Sequence, residues 1–259
     1  MSASLKSHSQ GQTLVLTISN PEHHNALDAT VCAAAVEALG VAESSDDIRS
    51  VVIAGEGLHF CAGLNLHALN EDRQLGATHN LQHIESHHNW IEAIRTFPKP
   101  VVAAVEGACA ATGFSLALAC DLMVAAHNSV FVMSHSTVGL SPDGGATHQL
   151  LAALPRAAAT HLLMTGERVS ADRLHQWGVV TQMSNPGEAL SDALALCERL
   201  NARSPQALAS IKELINDAPG QTLTAQLRSE RDHFVRNLLH PNAAEGLKAF
   251  LDKRTPQYR

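Results

Sequence analysis

Two segments rich in small residues could aim backbone N–H groups at a single oxygen. The first, Phe60-Cys61-Ala62-Gly63-Leu64-Asn65-Leu66, follows the apolar run RSVVIA. The second, Glu106-Gly107-Ala108-Cys109-Ala110-Ala111-Thr112-Gly113-Phe114, follows VVAAV. A strand-to-helix turn leaves N–H groups unpaired at the helix N-terminus, where the dipole favours negative charge. Two such donors converging on a carbonyl oxygen make an oxyanion hole, and one donor of that kind is worth ~10²–10³ in rate. Tight packing turns in an Ala-rich core have the same composition, so the residues alone leave both readings open.

Asp143 lies in the turn-forming run Ser141-Pro142-Asp143-Gly144-Gly145. As a turn residue it could be the N-cap of a helix starting near Gly144. Histidines recur at His79, His83 and His87, an i, i+4, i+8 spacing that puts them on one helix face, with Glu85 and His88 nearby. No H-E-x-x-H motif is present and no ligand set closes in the sequence, so the run reads as a polar helix face and no metal is expected.

The elements that must position these groups follow from periodicity and punctuation. Strands are expected at Thr13–Ser19, 49–54, Val101–Val105, Leu122–Ala126, 131–133 and 179–183. Helices are expected at 27–41 with Asp28 as N-cap, 81–97 stopped by Pro98, 114–121, 144–154, 157–163 and 171–177. From Gly187 onward the pattern is helical, broken at Pro205, Pro219 and Pro241. Strands alternating with helices predict an α/β core with parallel pairing, followed by a helical tail.

With 259 residues, 45% hydrophobic, the chain can bury a sizeable core. Only 3% are aromatic, so that core must be built from small aliphatics. A net charge of −7 without a basic run excludes nucleic acid as the main partner. The five cysteines form no C-x-x-C pair, which points to a reducing compartment. The N-terminus carries no apolar or Arg-rich leader and no apolar run is long enough for a membrane, so a cytoplasmic location is expected.

FCAGLNL and KPVVAAVEGACAATGFSLALACDLMVAA resemble the two signature segments of the crotonase (enoyl-CoA hydratase/isomerase) family. The similarity continues through FVMSHSTVGLSPDGGATHQL, LLMTGERVSADRLHQWGVV and EGLKAFLDKRTPQY, covering nearly the whole chain. The resemblance implies a crotonase-like spiral of ββα units with an acyl-CoA site over residues 1–190 and a helical C-terminal oligomerisation region over 191–259. It also implies a homotrimer or hexamer and an acyl-CoA thioester substrate. Coenzyme A arrives as part of that substrate, so no separate cofactor is expected.

Carried over residue by residue, the resemblance makes Leu64 and Thr112 the N–H donors, with Ala62, Gly63, Asn65, Leu66 and Gly113 around the thioester. The segment reads Ala111-Thr112-Gly113 where the family has three glycines, and Asn65 stands at the usual aspartate. The two water-handling glutamates of family hydratases are replaced by Ser115 and His135. His135 by itself does not replace a carboxylate pair. The P-D-G-G sequence resembles the ring-epoxide and enoyl-CoA isomerases, which implies Asp143 as the proton-shuttling base, its pKa raised by burial. A nucleophilic aspartate at the same position, with a histidine matching His88, resembles the 4-chlorobenzoyl-CoA dehalogenases, though these have tryptophan where His135 stands. Phe234 and Lys253 match positions from which a neighbouring subunit contacts the nucleotide of coenzyme A. The expected activity is therefore a proton or double-bond shift. The alternatives are a hydratase with a non-standard water site, a dehalogenase-like hydrolase, or an inactive acyl-CoA-binding homologue.

Overall fold

The structure, a computed structural model, describes residues 3–258. Strands β1 (Ser4–Gln10) and β2 (Thr13–Ser19) pair antiparallel and lead into helix α1 (Ala29–Ser44). Asp28 caps α1, its carboxylate accepting from Val31 N at 3.0 Å and from Ala3 N at 3.1 Å. Next come β3 (Ser50–Gly55), α2 (Leu66–Asp72) and α3 (Ala77–Thr96). A second ββα unit comprises β4 (Val101–Val105), β5 (Ala108–Ala110) and α4 (Thr112–Ala119). A third comprises β6 (Leu122–Ala126), β7 (Val130–Val132) and α5 (Ala146–Ala153), joined by a 3₁₀ turn at Ser134–Val138. Then follow α6 (Arg156–Thr165), β8 (Arg168–Ser170), α7 (Ala171–Gln176) and β9 (Gln182–Ser184). Four helices complete the chain: α8 (Ala189–Asn201), α9 (Pro205–Asp217), α10 (Leu223–Leu238) and α11 (Pro241–Leu251).

The expected α/β architecture is present. Six strands form one sheet in the order β1-β2-β3-β4-β6-β9, parallel from β2 onward, and β5-β7-β8 form a second, smaller sheet. The runs SVVIAG and VVAAV are continuous rather than alternating because both faces of the large sheet are covered. On one face Val52, Ala54, Val102, Ala104 and Val124 pack against Ala193, Leu196 and Cys197 of α8. On the other, Val51, Ile53, Val101 and Ala103 join the main core with Trp90, Ile94 and Phe114.

After β1 and β2, which both lie in the large sheet, each ββα unit steps the chain from the large sheet to the small one. In the β3 unit the second strand shrinks to a lone bridge between Cys61 and Cys109. That bridge locks the two small-residue turns together, with Ala110 N donating to Cys61 O at 2.9 Å and Cys61 N to Ala108 O at 3.2 Å. Two glycines make the contact possible. A Cβ on Gly113 would lie 2.4 Å from Cys61 O, and one on Gly63 (φ 95°) would lie 3.0 Å from the Ala111 Cβ.

Several boundaries differ from expectation. Strand β1 was not legible because SLKSHSQ is almost wholly exposed. The helix expected from Gly144 begins at Ala146, since Gly144 and Gly145 have φ of 59° and 76°. In place of the strand expected at 179–183 there is a shorter one shifted toward the C-terminus, Gln182–Ser184. All five cysteines are free and buried. Among the described residues no helix is long and apolar enough to cross a membrane.

Candidate active site

Thr112 opens α4, and the residue before it, Ala111, has φ 48° and ψ −123°. That is a costly conformation for a residue with a Cβ. It is fixed from both sides: Ala111 N donates to Val132 O at 2.8 Å, and Ala111 O accepts from Phe114 N and Ser115 N at 2.9 and 3.1 Å. The strained step turns the chain so that Thr112 N–H leads the helix with no partner among the described residues. Leu64 N–H likewise has no partner among the described residues. Its neighbours are held by Leu27, whose N donates to Gly63 O at 2.8 Å and whose O accepts from Asn65 N at 3.3 Å. A Cβ on Gly63 would lie 3.3 Å from Thr112 N, so the two turns meet edge to edge.

Leu64 and Thr112 open onto a cavity of about 440 Å³ that Asp143, His135 and His88 also line. Its apolar wall is Leu64, Leu66, Leu69, Ile84, Val138 and Leu140, with Ala62 and Ala111 at the turns. This is a shape and lining suited to an acyl chain with a few fixed polar groups. The expected residues thus largely come together, with exceptions. Gly63 and Gly113 supply close packing rather than wall. Asn65 caps α2, its Oδ1 accepting from His67 N at 3.0 Å and Ala68 N at 3.3 Å. Phe234, on α10, is 68% exposed, and Lys253 is exposed beyond α11; neither lines the cavity within one chain.

Asp143 is not an N-cap. Gly145 occupies the cap position of α5, and the carboxylate turns to Thr112 instead, whose Oγ1 donates to both its oxygens at 3.0 Å. His135 Nε2 stands 3.3 Å from Asp143 Oδ1, off the line of a hydrogen bond, and neither ring nitrogen has a hydrogen-bond partner among the described residues. Ser115, fully buried, donates to the backbone O of Asp143 at 2.9 Å. A Cβ on Gly144 would lie 2.8 Å from the Ser115 Cβ. The loop therefore sits where a longer side chain at 115 would project, so serine at 115 and the close approach of Asp143 go together.

The expected rise in the Asp143 pKa is overturned. Burial does push the carboxyl up, but the adjacent His135 ring, then the Thr112 hydroxyl, then His87 pull it down, and the net lies below the ordinary carboxylate range. Asp143 is thus held as a carboxylate, with only 14% of its side chain exposed. Burial drives the neighbouring Cys61 thiol the other way, up to about 12, which removes it as a nucleophile.

Some lining residues had no motif to announce them. Asn80 and Ile84 lie two turns and one turn before the expected His88 on α3, one residue out of step with the more conspicuous histidines, and with it they form the inner stripe. Ser134, Val138 and Leu140 come from the 3₁₀ turn and its exit, where no periodicity exists to read.

Residues 8–259 match the family model described as enoyl-CoA hydratase/isomerase. The protein belongs to the enoyl-CoA hydratase/isomerase family, within the crotonase superfamily. It is 35% identical over 253 residues to the 1,2-epoxyphenylacetyl-CoA isomerase of Escherichia coli, covering 97% of each chain. It is 31% identical over 250 residues to the 2,3-dehydroadipyl-CoA hydratase of the same organism, covering 96% of each. Among solved structures, an enoyl-CoA hydratase from Polaromonas sp. JS666 is 61% identical, with a TM-score of 0.98, covering 99% of this chain and 100% of the other. The spiral and the two locked turns are therefore a crotonase fold, and membership of this family makes the chain an acyl-CoA enzyme.

Proposed function

We propose that this family member shifts a proton, and with it a double bond, on an acyl-CoA thioester, using Asp143 as the base. The observation that carries the reading is that one residue joins both halves of the chemistry. Thr112 presents a free backbone N–H to the cavity while its hydroxyl holds the Asp143 carboxylate. With the thioester oxygen accepting from Leu64 N–H and Thr112 N–H, the acidic C–H of the acyl group lies on the Asp143 side. The carboxylate takes that proton, and the C–H electron pair moves into the thioester to give an enolate. The two N–H donors stabilise the enolate oxygen most strongly when it is charged. Return of the proton from Asp143 to a different carbon completes the shift with no other reactant. His135, 3.3 Å from the carboxylate, steadies its charge.

Hydration of a 2-enoyl-CoA is the second reading. It is favoured by the Polaromonas hydratase structure at 61% identity and by the buried, unpartnered nitrogens of His135, which could hold a water beside Asp143. Incubation with matched 2-enoyl- and 3-enoyl-CoA esters in deuterated water separates the two. Double-bond migration with deuterium incorporation supports the shift, and formation of a 3-hydroxyacyl-CoA supports hydration. Assembly as a homotrimer or hexamer belongs to the same proposal. It rests on the exposed Phe234, Leu239, Leu247, Phe250 and Leu251 of the last helices, which ask for a partner surface. A cytoplasmic location fits the five free, buried thiols.

A further inference from the structure

We propose a divalent-cation site of the zinc type at Asp72, His79 and His83, where it staples α2 to α3. In the fold, the three-histidine face read from spacing separates. His87 turns inward, 2% exposed, and its ring stacks on His83 with centroids 5.3 Å apart. The other two histidines meet a carboxylate that the sequence does not associate with them. Asp72, the last residue of α2, places Oδ1 3.4 Å from His79 Nε2 and Oδ2 2.8 Å from His83 Nδ1. One ligand atom from each of the three residues lies within 4.8 Å of the others.

Two imidazoles and a carboxylate are the donor set that borderline first-row cations prefer. Ligand distances of ~2.0–2.1 Å set tetrahedral ligand atoms about 3.3 Å apart, so the 3.4 Å edge between Asp72 Oδ1 and His79 Nε2 already fits, while His83, whose 2.8 Å contact is to the other carboxylate oxygen, must turn toward the shared ion. The side chains are 22%, 45% and 15% exposed for Asp72, His79 and His83, enough for entry and for water in a fourth position. The backbone that presents them is pinned independently. Asn80 Nδ2 donates to Asp72 O at 2.9 Å and to Gly76 O at 2.8 Å, fixing the α2–α3 connection. The nearest cation in sequence, Arg73, is engaged by Asn70 Oδ1 at 2.9 Å and leaves the Asp72 carboxylate to the histidines.

The consequence lies next door. Leu66 and Leu69 of α2 and Asn80, Ile84 and His88 of α3 form one wall of the cavity. A cation at the outer end of the pair would restrain that wall and slow its opening. The site stands on its own donors and does not depend on which acyl-CoA reaction the cavity performs.

The test uses tag-free, chelator-treated full-length protein, with Zn²⁺ followed by calorimetry and Co²⁺ by visible absorption. The expected result is one equivalent of each, with the intense d–d bands of tetrahedral cobalt. Asp72→Asn and His83→Ala, each checked for wild-type circular dichroism, should weaken binding at least tenfold. His127→Ala and His161→Ala, which remove exposed histidine–carboxylate pairs elsewhere, should not. Zn²⁺ should also slow amide exchange in residues 66–72 of the wild type and not of Asp72→Asn. Binding that is equally strong in Asp72→Asn, or zinc that leaves exchange in α2 unchanged, overturns the proposal.

Discussion

Replacing Thr112 by valine isolates the hydroxyl that links the first turn of α4 to Asp143, the proposed base. Valine keeps the branched Cβ, the backbone N–H and the buried volume, and removes only the donor 3.0 Å from each Asp143 oxygen. A hydrogen bond to a charged group is worth about 1.5–3 kcal/mol. Here one proton is shared between two acceptors, so the low end applies, about 1.5 kcal/mol, equivalent to about one pH unit. The hydroxyl lowers the Asp143 pKa, so its loss should raise that pKa and move the acid limb of the kcat/KM profile upward by about one unit. The stability consequence has a definite sign. Asp143 lies below the ordinary range in the folded chain, so its ionised form stabilises the fold at neutral pH, and that contribution disappears as pH falls through the folded pKa. The variant should therefore be less stable than wild type at pH 7 and approach it in acid. The assays are exchange of substrate C–H into deuterated water across pH, and urea melts at two pH values. An active variant whose acid limb has not moved would refute the link between Thr112 and the base.

Gly113→Ala places a methyl 2.4 Å from the backbone oxygen of Cys61 and should unlock the two turns, lowering the melting temperature and activity together; overpacking of this kind costs about 1–3 kcal/mol or more. Lys212→Met strands the carboxylate of Asp121, whose Oδ2 lies 2.8 Å from the ammonium of the 8%-exposed Lys212 side chain, and urea denaturation should show a loss of about 3–5 kcal/mol. Glu106→Ala removes the acceptor that Gly187 N and Ala189 N share at 3.0 Å at the start of α8, a cap worth about 1 kcal/mol, and exchange should rise first in that helix.

The parts of the site built on regular structure were legible from residue types. The strands before each turn are unbroken apolar runs, and Gly63 and Gly113 mark where two backbones must touch. The ββα spiral itself came from resemblance, since periodicity implied only an α/β core. What escaped depended on contacts distant in sequence or on local backbone choice. Helix α2 has no buried residue to give it a period. The direction of the Asp143 shift turned on His135 and Thr112, neither of them in its turn motif, and burial alone pointed the wrong way. The N-cap alternative fell because two successive glycines with positive φ postpone α5. Asp72 joined the histidines only once the connection through Gly76 brought the end of α2 beside the first turns of α3.

The central claim is that Asp143 moves the proton while Leu64 and Thr112 hold the oxygen. Asp143→Asn keeps the size of the side chain and the fold but abolishes its basicity. Exchange of acyl C–H for deuterium, followed by NMR at saturating acyl-CoA alongside the dissociation constant of the same ester, tests it most directly. The account predicts a loss of exchange of about 10²–10⁴-fold with binding retained. Undiminished exchange in that variant would contradict it.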